Sequence, residues 1–525
     1  MLNRECANKR FPINKITQPV WCDALSYKET MNHLPRILDM RQHVIDWFAT
    51  LQAPELGFGV HADSAYHREH GPAGMYLPGT YNAVNCLSLL GAYADLAPEK
   101  ADSIATFLNR HQRPDGAYRI PEMTQADIYY PDFEYIDLHI TNYSLGALAS
   151  LGRKPALPMA FVERYATPEK LSAWLAARQM SEPWSEGNYI VNVASFFAWE
   201  LDHGAERFRP LLEQLIDWHT THQDAASGYW YDPSTRDLTS AMAGAAHNLH
   251  LYYYLNRPVP RFEKIIDHCL GILEGVSSSC LDIDVIDILA NLHGYGYRQP
   301  EIEAYLDRKL AALLDFQNPD GGFADVCDGT RLFDGWERYQ EPQGLTNTFS
   351  TWFRCATVGM ICHVLYPETR TDWHFRHTLG MGYFHPQTPS VLPAVSQPEQ
   401  LSAPEVAPVI SSTPAAFGAE AAQALTRLRA KLASLDSARL TAASAVYQFE
   451  IGGPAGGSLS VGISEGRVRV EPGENPQARV TLSISPETFN KLLDGKLNAT
   501  VAYMTKKLKI RGDIALAMKL EALLR

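Results

Sequence analysis

The chain has 525 residues, 46% of them hydrophobic and 20% charged, with a net charge of −13. That is too long for one small domain, is globular in balance, and is too acidic for a broad nucleic-acid footprint. The N-terminal stretch carries no apolar core of a secretory signal, and no run approaches the roughly 18 apolar residues of a membrane span.

A turn recurs along the first two thirds of the chain. Gln52 opens QAPELGFG, Gln112 QRPDGAY, Gln179 QMSEPWSEGNY, Gln223 QDAASGYW and Gln317 QNPDGGF. The intervals are 60, 67, 44 and 94 residues, and a degenerate turn at GILEGVSSSC (271–280) fills the longest, which makes six units. In each unit an amphipathic helix ends in Gln, Pro and Gly stop it, and an aromatic residue follows. HVIDWFATLQ, DSIATFLNRHQ, LSAWLAARQ, LLEQLIDWHTTHQ and LDRKLAALLDFQ each show one apolar stripe. Between them stand segments apolar on all sides: TYNAVNCLSLLGAYADL, TNYSLGALASLG, YIVNVASFFAWEL, MAGAAHNLHLYYYL, DVIDILANLHGYG and FSTWFRCATVGMICHVL. Six outer and six inner helices predict an (α/α)6 toroid over residues 1–385. Cysteines such as Cys86, Cys355 and Cys362 fall inside these helices as small buried hydrophobes, which fits a reducing, cytoplasmic setting.

Residues 386–416 are dense in Pro, Ser and Ala without hydrophobic period, the composition of a linker. Residues 417–525 change character. After a helix, YQFEI, SLSVGI, RVRV and RVTLSI place apolar residues at every second position, as strands with one buried face do. Two helical segments close the chain, so a multidomain protein is expected, all-α followed by α+β.

The run PETFNKLLDGKLNATVAYMTKKLKIRGDIALAMKL resembles the sterol carrier protein 2 (SCP2) family. The resemblance implies a five-stranded sheet whose helices enclose an apolar tunnel for lipids, sterols or fatty-acyl groups. Matching lining positions are Phe489, Leu492, Leu493, Met504, Leu508, Ile514 and Met518. The alternative for each is plain core.

The Gln-x-Pro-Asp-Gly-aromatic turns resemble those of squalene–hopene cyclases and protein prenyltransferase β subunits. In class II cyclases an Asp at the start of an inner helix protonates an alkene. SSSCLDIDVIDILANLHGYG (277–296) matches that place: Asp282 falls on the first acid, Asp284 on the proton donor, and Val285 where a further Asp stands. Asp287, one turn on, offers a second carboxylate. Acidic residues here also suit a capped first turn.

Carbocations need π faces and exclusion of water. Trp184, Tyr189, Trp230, His247, His250, Tyr253, Trp336, Trp352 and Phe353 are candidates for a pocket wall, as against packing between helices. His293 is a further candidate. Arg354 and Arg376 stand beside aromatics, either to bind an anionic group or to ion-pair. Glu134, Asp137, Glu182, Glu186 and Asp284 would be the acids of a glycan-active toroid. Asp325, Cys327 and His363 carry zinc-ligand chemistry, but Asp325 and Cys327 sit in the turn ahead of the inner helix that would have to hold a metal, and no cofactor or metal is expected. The reading is an isoprenoid-acting, class II terpene-cyclase-like enzyme with an attached lipid-binding module. Its partner would be a hydrophobic small molecule, an isoprenoid, sterol or acyl lipid. No nucleic acid and no integral membrane segment enter that reading, though peripheral membrane contact fits it. A non-catalytic lipid-binding or scaffold protein and a glycan-active toroid remain open.

Overall fold

The structure is a computed structural model. It describes residues 32–386 apart from 54–56, 62–74, 129, 236, 273, 326–330, 334–335, 342–343 and 377, then residues 419–433, 440, 445–452, 457–464, 467–475, 477–493, 502, 507–512, 520 and 523. In the N-terminal part, twelve helices are described. The outer ones are α1 (Leu34–Leu51), α3 (Pro98–Asn109), α5 (Pro168–Ala176), α7 (Arg209–His222), α9 (Phe262–Cys269) and α11 (Gln299–Phe316). The inner ones are α2 (Tyr76–Leu89), α4 (Glu134–Ser150), α6 (Pro183–Asp202), α8 (Leu238–Tyr254), α10 (Ser279–Leu292) and α12 (Thr348–Leu365).

Each inner helix packs on the next, and α12 packs back on α2, so the six close into a ring. This explains the composition of the two sets. An outer helix buries one face and keeps a polar one, as α1 buries Ile37, Met40, Val44, Trp47 and Leu51. An inner helix is enclosed by two ring neighbours and the outer layer, so nearly every residue of α4 from Tyr135 to Leu148 is buried. Where α6 crosses α8, a Cβ on Gly187 would lie 2.4 Å from the Gly244 carbonyl oxygen, and one on Gly244 2.1 Å from that of Pro183. Only glycine permits so close an approach.

The recurrent Gln is a clip. Gln112 Nε2 donates to the carbonyls of Gly116 (2.9 Å) and Leu157 (2.8 Å), and its Oε1 accepts from Leu157 N–H (2.7 Å). Gln223 reaches Gly228 (2.8 Å) and Pro260 (3.0 Å) in the same way, and Gln317 reaches Gly321 (2.6 Å) and Met40 (3.2 Å). Each thus closes its own turn and ties it to another segment of the outer layer. The turn needs Gly because Gly116, Gly228 and Gly321 adopt φ of +89°, +80° and +103°. The aromatic residue after the turn has a partner the sequence pattern did not suggest. The N–H of Phe58, Tyr118 and Phe323 donates to the hydroxyl of Thr80 (2.9 Å), Thr141 (2.8 Å) and Thr351 (2.9 Å) on an inner helix.

Short strand pairs β1 (Gln52–Ala53) with β2 (Gly57–Phe58) and β3 (Arg331–Phe333) with β4 (Trp336–Glu341) decorate the helical ring. The C-terminal part holds α13 (Ala419–Ala433), strands β5 (Ala445–Ile451), β6 (Gly457–Ser464), β7 (Arg467–Pro472) and β8 (Val480–Ile484), helix α14 (Pro486–Leu493) and β9 (Leu508–Gly512). The five strands form one sheet in the order β7-β6-β5-β8-β9, antiparallel except for β5 beside β8. Its core gathers Leu428, Leu432, Tyr447, Phe449, Leu459, Val461 and Phe489. No described helix is long and apolar enough to cross a membrane.

Candidate functional site

The three aspartates of α10 are all buried, yet they meet different surroundings. Ser278 caps the helix, its side chain accepting from Leu281 N–H at 3.3 Å. Asp282, 1% exposed, is the anion of a closed network. It accepts from Lys309 Nζ on α11 (2.5 Å), from Ser277 N–H (3.0 Å) and hydroxyl (2.6 Å), and from the Arg354 guanidinium on α12. Burial, the largest single influence, would raise its carboxyl, but Arg354, Lys309 and the Ser277 hydrogen bond together hold it below the ordinary range. Arg354 also donates to the Ser277 and Asp325 carbonyls (2.6 Å each), so this arginine is paired. Asp287 accepts from Asn291 Nδ2 and shares a hydrogen bond with His250 Nε2, each at 2.9 Å.

Asp284, 2% exposed, has neither kind of support. Oδ1 lies 4.0 Å from His247 Nε2, and Oδ2 has no partner. Burial, and secondarily the neighbouring Asp287, push its carboxyl well above the usual range. Burial, with His250 and His139 nearby, pushes His247 down to about 3. Burial thus favours the protonated form of Asp284 and the neutral form of His247 beside it.

His139 belongs to α4 and His247 to α8, which α6 separates in the ring; their mutual influence places both toward the bore. His139 is part of an aromatic stripe down α4. Tyr130 stacks on Tyr135 (3.9 Å between centroids), Tyr135 on His139 (5.2 Å), His139 meets Tyr143 edge-on (4.5 Å), and Tyr143 meets Trp352 of α12 (5.3 Å). α4 and α12 are not ring neighbours either, so this last contact also crosses the bore. Tyr189 joins the stripe through Tyr135 at 5.2 Å. The stripe escaped the sequence reading, although Tyr135, His139 and Tyr143 in YIDLHITNY have the i, i+4, i+8 spacing of one helix face.

The other expected pocket residues scatter. Trp230 is buried between α7 and α8, its Nε1 donating to the His219 carbonyl at 2.8 Å. Tyr253 is buried beside the acid cluster, near Asp287, Tyr295 and Cys269, its ring 6.0 Å from that of His250. Phe353 stacks on Phe349 at 4.1 Å. Trp184 is half-buried at the start of α6. Trp336 opens β4, and its side chain lies outside the described residues. His293 pairs with Glu303 at 3.0 Å, away from the bore. At the N-terminal ends of α4 and α6 the acids are engaged: Asp137 by Arg119 (2.5 Å), Glu134 by Tyr165 (2.7 Å) and Trp174 (3.2 Å), Glu186 by Gln179 N–H (3.0 Å) and Arg178 (3.3 Å). Glu182 is exposed. Asp325 accepts from Ser279, and Cys327 lies outside the described residues.

In the sheet domain Phe489, Leu493 and Leu508 are core, with Phe489 edge-on to Phe449 at 5.5 Å, and Leu492 is partly buried. Met504, Ile514 and Met518 lie outside the described residues. A cavity of about 450 Å³ opens among Glu450, Ile451, Ser483, Pro486, Lys507 and Lys509. None of these was among the expected lining residues.

A ring of inner helices inside a ring of outer ones, in a chain with a five-stranded helix-covered sheet, defines the class. Residues 14–133 match the prenyltransferase alpha-alpha toroid domain, and residues 425–525 match the SCP-2 sterol transfer family. The chain therefore joins a prenyltransferase-type α/α toroid to an SCP2 domain. Hydroxysteroid dehydrogenase-like protein 2 of Rattus norvegicus is 44% identical over 92 residues, which are 17% of this chain and 18% of that protein, and the match lies in the SCP2 region. The chain thus spans less than a fifth of the curated relative's length. Among solved structures, the sterol carrier protein domain 2 of Helicoverpa armigera is 28% identical, covering 22% of this chain and 93% of its own, with a TM-score of 0.19. Sterol Carrier Protein 2 from Yarrowia lipolytica is 25% identical, covering 21% and 93%, with a TM-score of 0.18.

Proposed function

We propose that the toroid acts on an isoprenoid-type alkene by class II cyclase-like chemistry with Asp284 as the proton donor, and that the SCP2 domain holds the hydrophobic substrate or product. The observation that carries this is the buried Asp284 carboxyl, its Oδ2 unpartnered and His247 at 4.0 Å, in surroundings that favour its protonated form. The proton passes from the carboxyl to an alkene carbon, the π electrons form the new C–H bond, and a carbocation remains. In a medium of low dielectric the new carboxylate and carbocation attract strongly, which offsets the weak acidity of a buried carboxyl. Tyr135, His139 and Tyr143 offer ring faces to the migrating positive charge. Loss of a proton from carbon ends the sequence, so the reaction is a net isomerisation. Burial, with the neighbouring Asp287 second, favours the proton on Asp284; Asp287 is held by His250 and Asn291, and Asp282 anchors the helix.

The test is incubation of the full chain and its Asp284→Asn variant with C15–C30 isoprenoids, followed by mass spectrometry of organic extracts. A cyclised product that disappears in the variant is the expected result. A co-purified lipid with no turnover by either protein overturns the enzyme reading and leaves a lipid-binding protein. That second reading is favoured by one observation: Val285, fully buried, stands where the resemblance places a further acid.

A further inference from the structure

Charge is divided unevenly along the chain. Residues 1–385 hold 31 Lys and Arg against 47 Asp and Glu, whereas residues 417–525 hold 15 against 10. An acidic ring and a basic sheet domain are thus tied together by a Pro-rich segment that carries no Lys or Arg. Opposite net charges draw two such modules together, and a tether raises the concentration each sees of the other to about millimolar. The places where charge is left unmatched on each side decide what can meet.

On the basic side that place is one end of the sheet. Glu450, Ser483 and Lys509 are neighbours across β5, β8 and β9. Their row lies on the face opposite Phe449, Leu482 and Leu508, hence away from the core that gathers those residues. Glu450 is already engaged, by Arg511 and by the Ser483 hydroxyl. Glu487, which feels Lys507, is taken by Lys491 at 2.7 Å. Lys507 and Lys509 are exposed and meet no acid within ion-pair distance among the described residues. Both line the cavity of about 450 Å³, together with the apolar Ile451, Ile484 and Pro486. The result is an apolar hollow flanked by two ammonium groups.

On the acidic side the place is the start of α4, α6 and α8, which are neighbours in the inner ring. Asp132 stands two residues before α4, Glu182 at the N-cap of α6, and Asp232 in the turn leading to α8. Asp132 and Glu182 are exposed, Asp232 is half-buried, and none meets a Lys or Arg among the described residues. Two arginines of this rim are engaged elsewhere, Arg119 by Asp137 and Arg178 by Glu186. Within two residues of each unmatched acid is a half-buried aromatic residue, Phe133, Trp184 and Tyr231 respectively. The three places adjoin. Asp232 N–H donates to the carbonyl of Met180, two residues before Glu182, at 2.7 Å. Asp132 is close enough to Tyr189 of α6 to act on its phenol, and Tyr130, where the aromatic stripe begins, is 6.5 Å from the same ring. Accessible aromatic residues ringed by charge are the composition of a protein interface.

We propose that the Lys507–Lys509 end of the sheet domain docks on the Asp132–Glu182–Asp232 rim of the toroid in the same chain, with a rim aromatic seated in the apolar hollow. The ammonium groups answer the unmatched carboxylates, and the outer end of the aromatic stripe then faces the SCP2 domain instead of water. The contact is weak and sensitive to salt, because the lysines and most of the acids are exposed. It concerns placement and stands whether or not Asp284 turns a ligand over.

The test joins carboxylates to amines at zero length with a carbodiimide on the full chain, and reads the junctions by mass spectrometry after digestion. Lys507 or Lys509 joined to Asp132, Glu182 or Asp232 at low salt is the expected result, with a loss of roughly fivefold or more in about 0.5 M salt. A mixture of 15N-labelled and unlabelled chains tells one molecule from two, and junctions of mixed label overturn the proposal in favour of a second copy. X-ray scattering gives a readout that does not depend on the amines. Wild type should be more compact at low salt than at high salt, and Lys507→Glu with Lys509→Glu should be expanded at both. Adding Asp132→Lys and Glu182→Lys to that pair should restore the compact form. All four side chains are exposed, so thermal melting should be unchanged. Absence of the junctions, or a charge-reversed pair as compact as wild type, overturns the proposal. So does sedimentation of wild type, but not of the charge-reversed pair, with phosphatidylglycerol vesicles when no junction forms, since the lysines then serve a lipid surface.

Discussion

Asp282 and Asp284 are two residues apart and behave oppositely, and mutation should separate them. Asp282→Ala leaves Lys309 and Arg354 buried without their carboxylate, a loss of about 3–5 kcal/mol on precedent for broken buried pairs, measurable by chemical denaturation. Asp284→Asn removes a carboxyl whose charged form burial disfavours and whose Oδ2 has no partner, so it should not destabilise the protein. The sign of the pH dependence follows. The folded carboxyl binds its proton more tightly than the unfolded one, so the folded state holds the extra proton above the ordinary value of 3.8. Wild-type stability should therefore fall relative to Asp284→Asn as pH rises from 3.8, by about 1.4 kcal/mol per pH unit until the folded carboxyl ionises. Denaturation curves of both proteins at several pH values check this, and a parallel pair of curves would mean that Asp284 is ionised in the fold. The spacing of the three acids was legible in the chain. Their division into anchor, unpaired acid and histidine-bonded acid was not, because Lys309 and Arg354 come from other helices 27 and 72 residues away.

At the scale of elements, the repeat is held by backbone groups that find side chains. Thr141→Val keeps the shape of a fully buried side chain but leaves the Tyr118 N–H without an acceptor, and should cost about 1–3 kcal/mol. Gln112→Ala removes three hydrogen bonds between the second turn and Leu157 and Gly116, and should cost a similar amount. Both are structural, so urea midpoints should fall while ligand affinity per folded molecule stays unchanged. The Gln, Pro and Gly of the turn were readable because helix termination is local chemistry. The threonines were not, since Thr80, Thr141 and Thr351 sit on inner helices 22, 23 and 28 residues after the aromatic they receive. The aromatic stripe had a local signal in its i, i+4, i+8 spacing. Its approach to Trp352, over two hundred residues away, had none.

At the scale of the molecule, the ring closes only when α12 meets α2, contacts that join residues 348–365 to residues 76–89. A chain ended at residue 330 lacks that stave and should show no cooperative thermal transition by circular dichroism, because the inner faces of α2 and α10 would then face water. We propose residues 1–385, 386–416 and 417–525 as toroid, linker and SCP2 domain. Fragments 1–385 and 417–525 should each melt cooperatively when made alone, and failure of either moves its boundary. Both architectures could be read from the chain because each rests on a short-range rule: 3.6-residue periodicity with recurrent helix stops in one half, alternation in the other. Such patterns record which face of each element is apolar. What the chain could not reveal is which polar residues share a place once those faces are buried. Asp284 unpaired beside His247, Asp282 locked by two cations, and Arg376 enclosed without an anion among the described residues are outcomes of ring closure, which brings distant side chains together and removes the water that would otherwise make them equivalent.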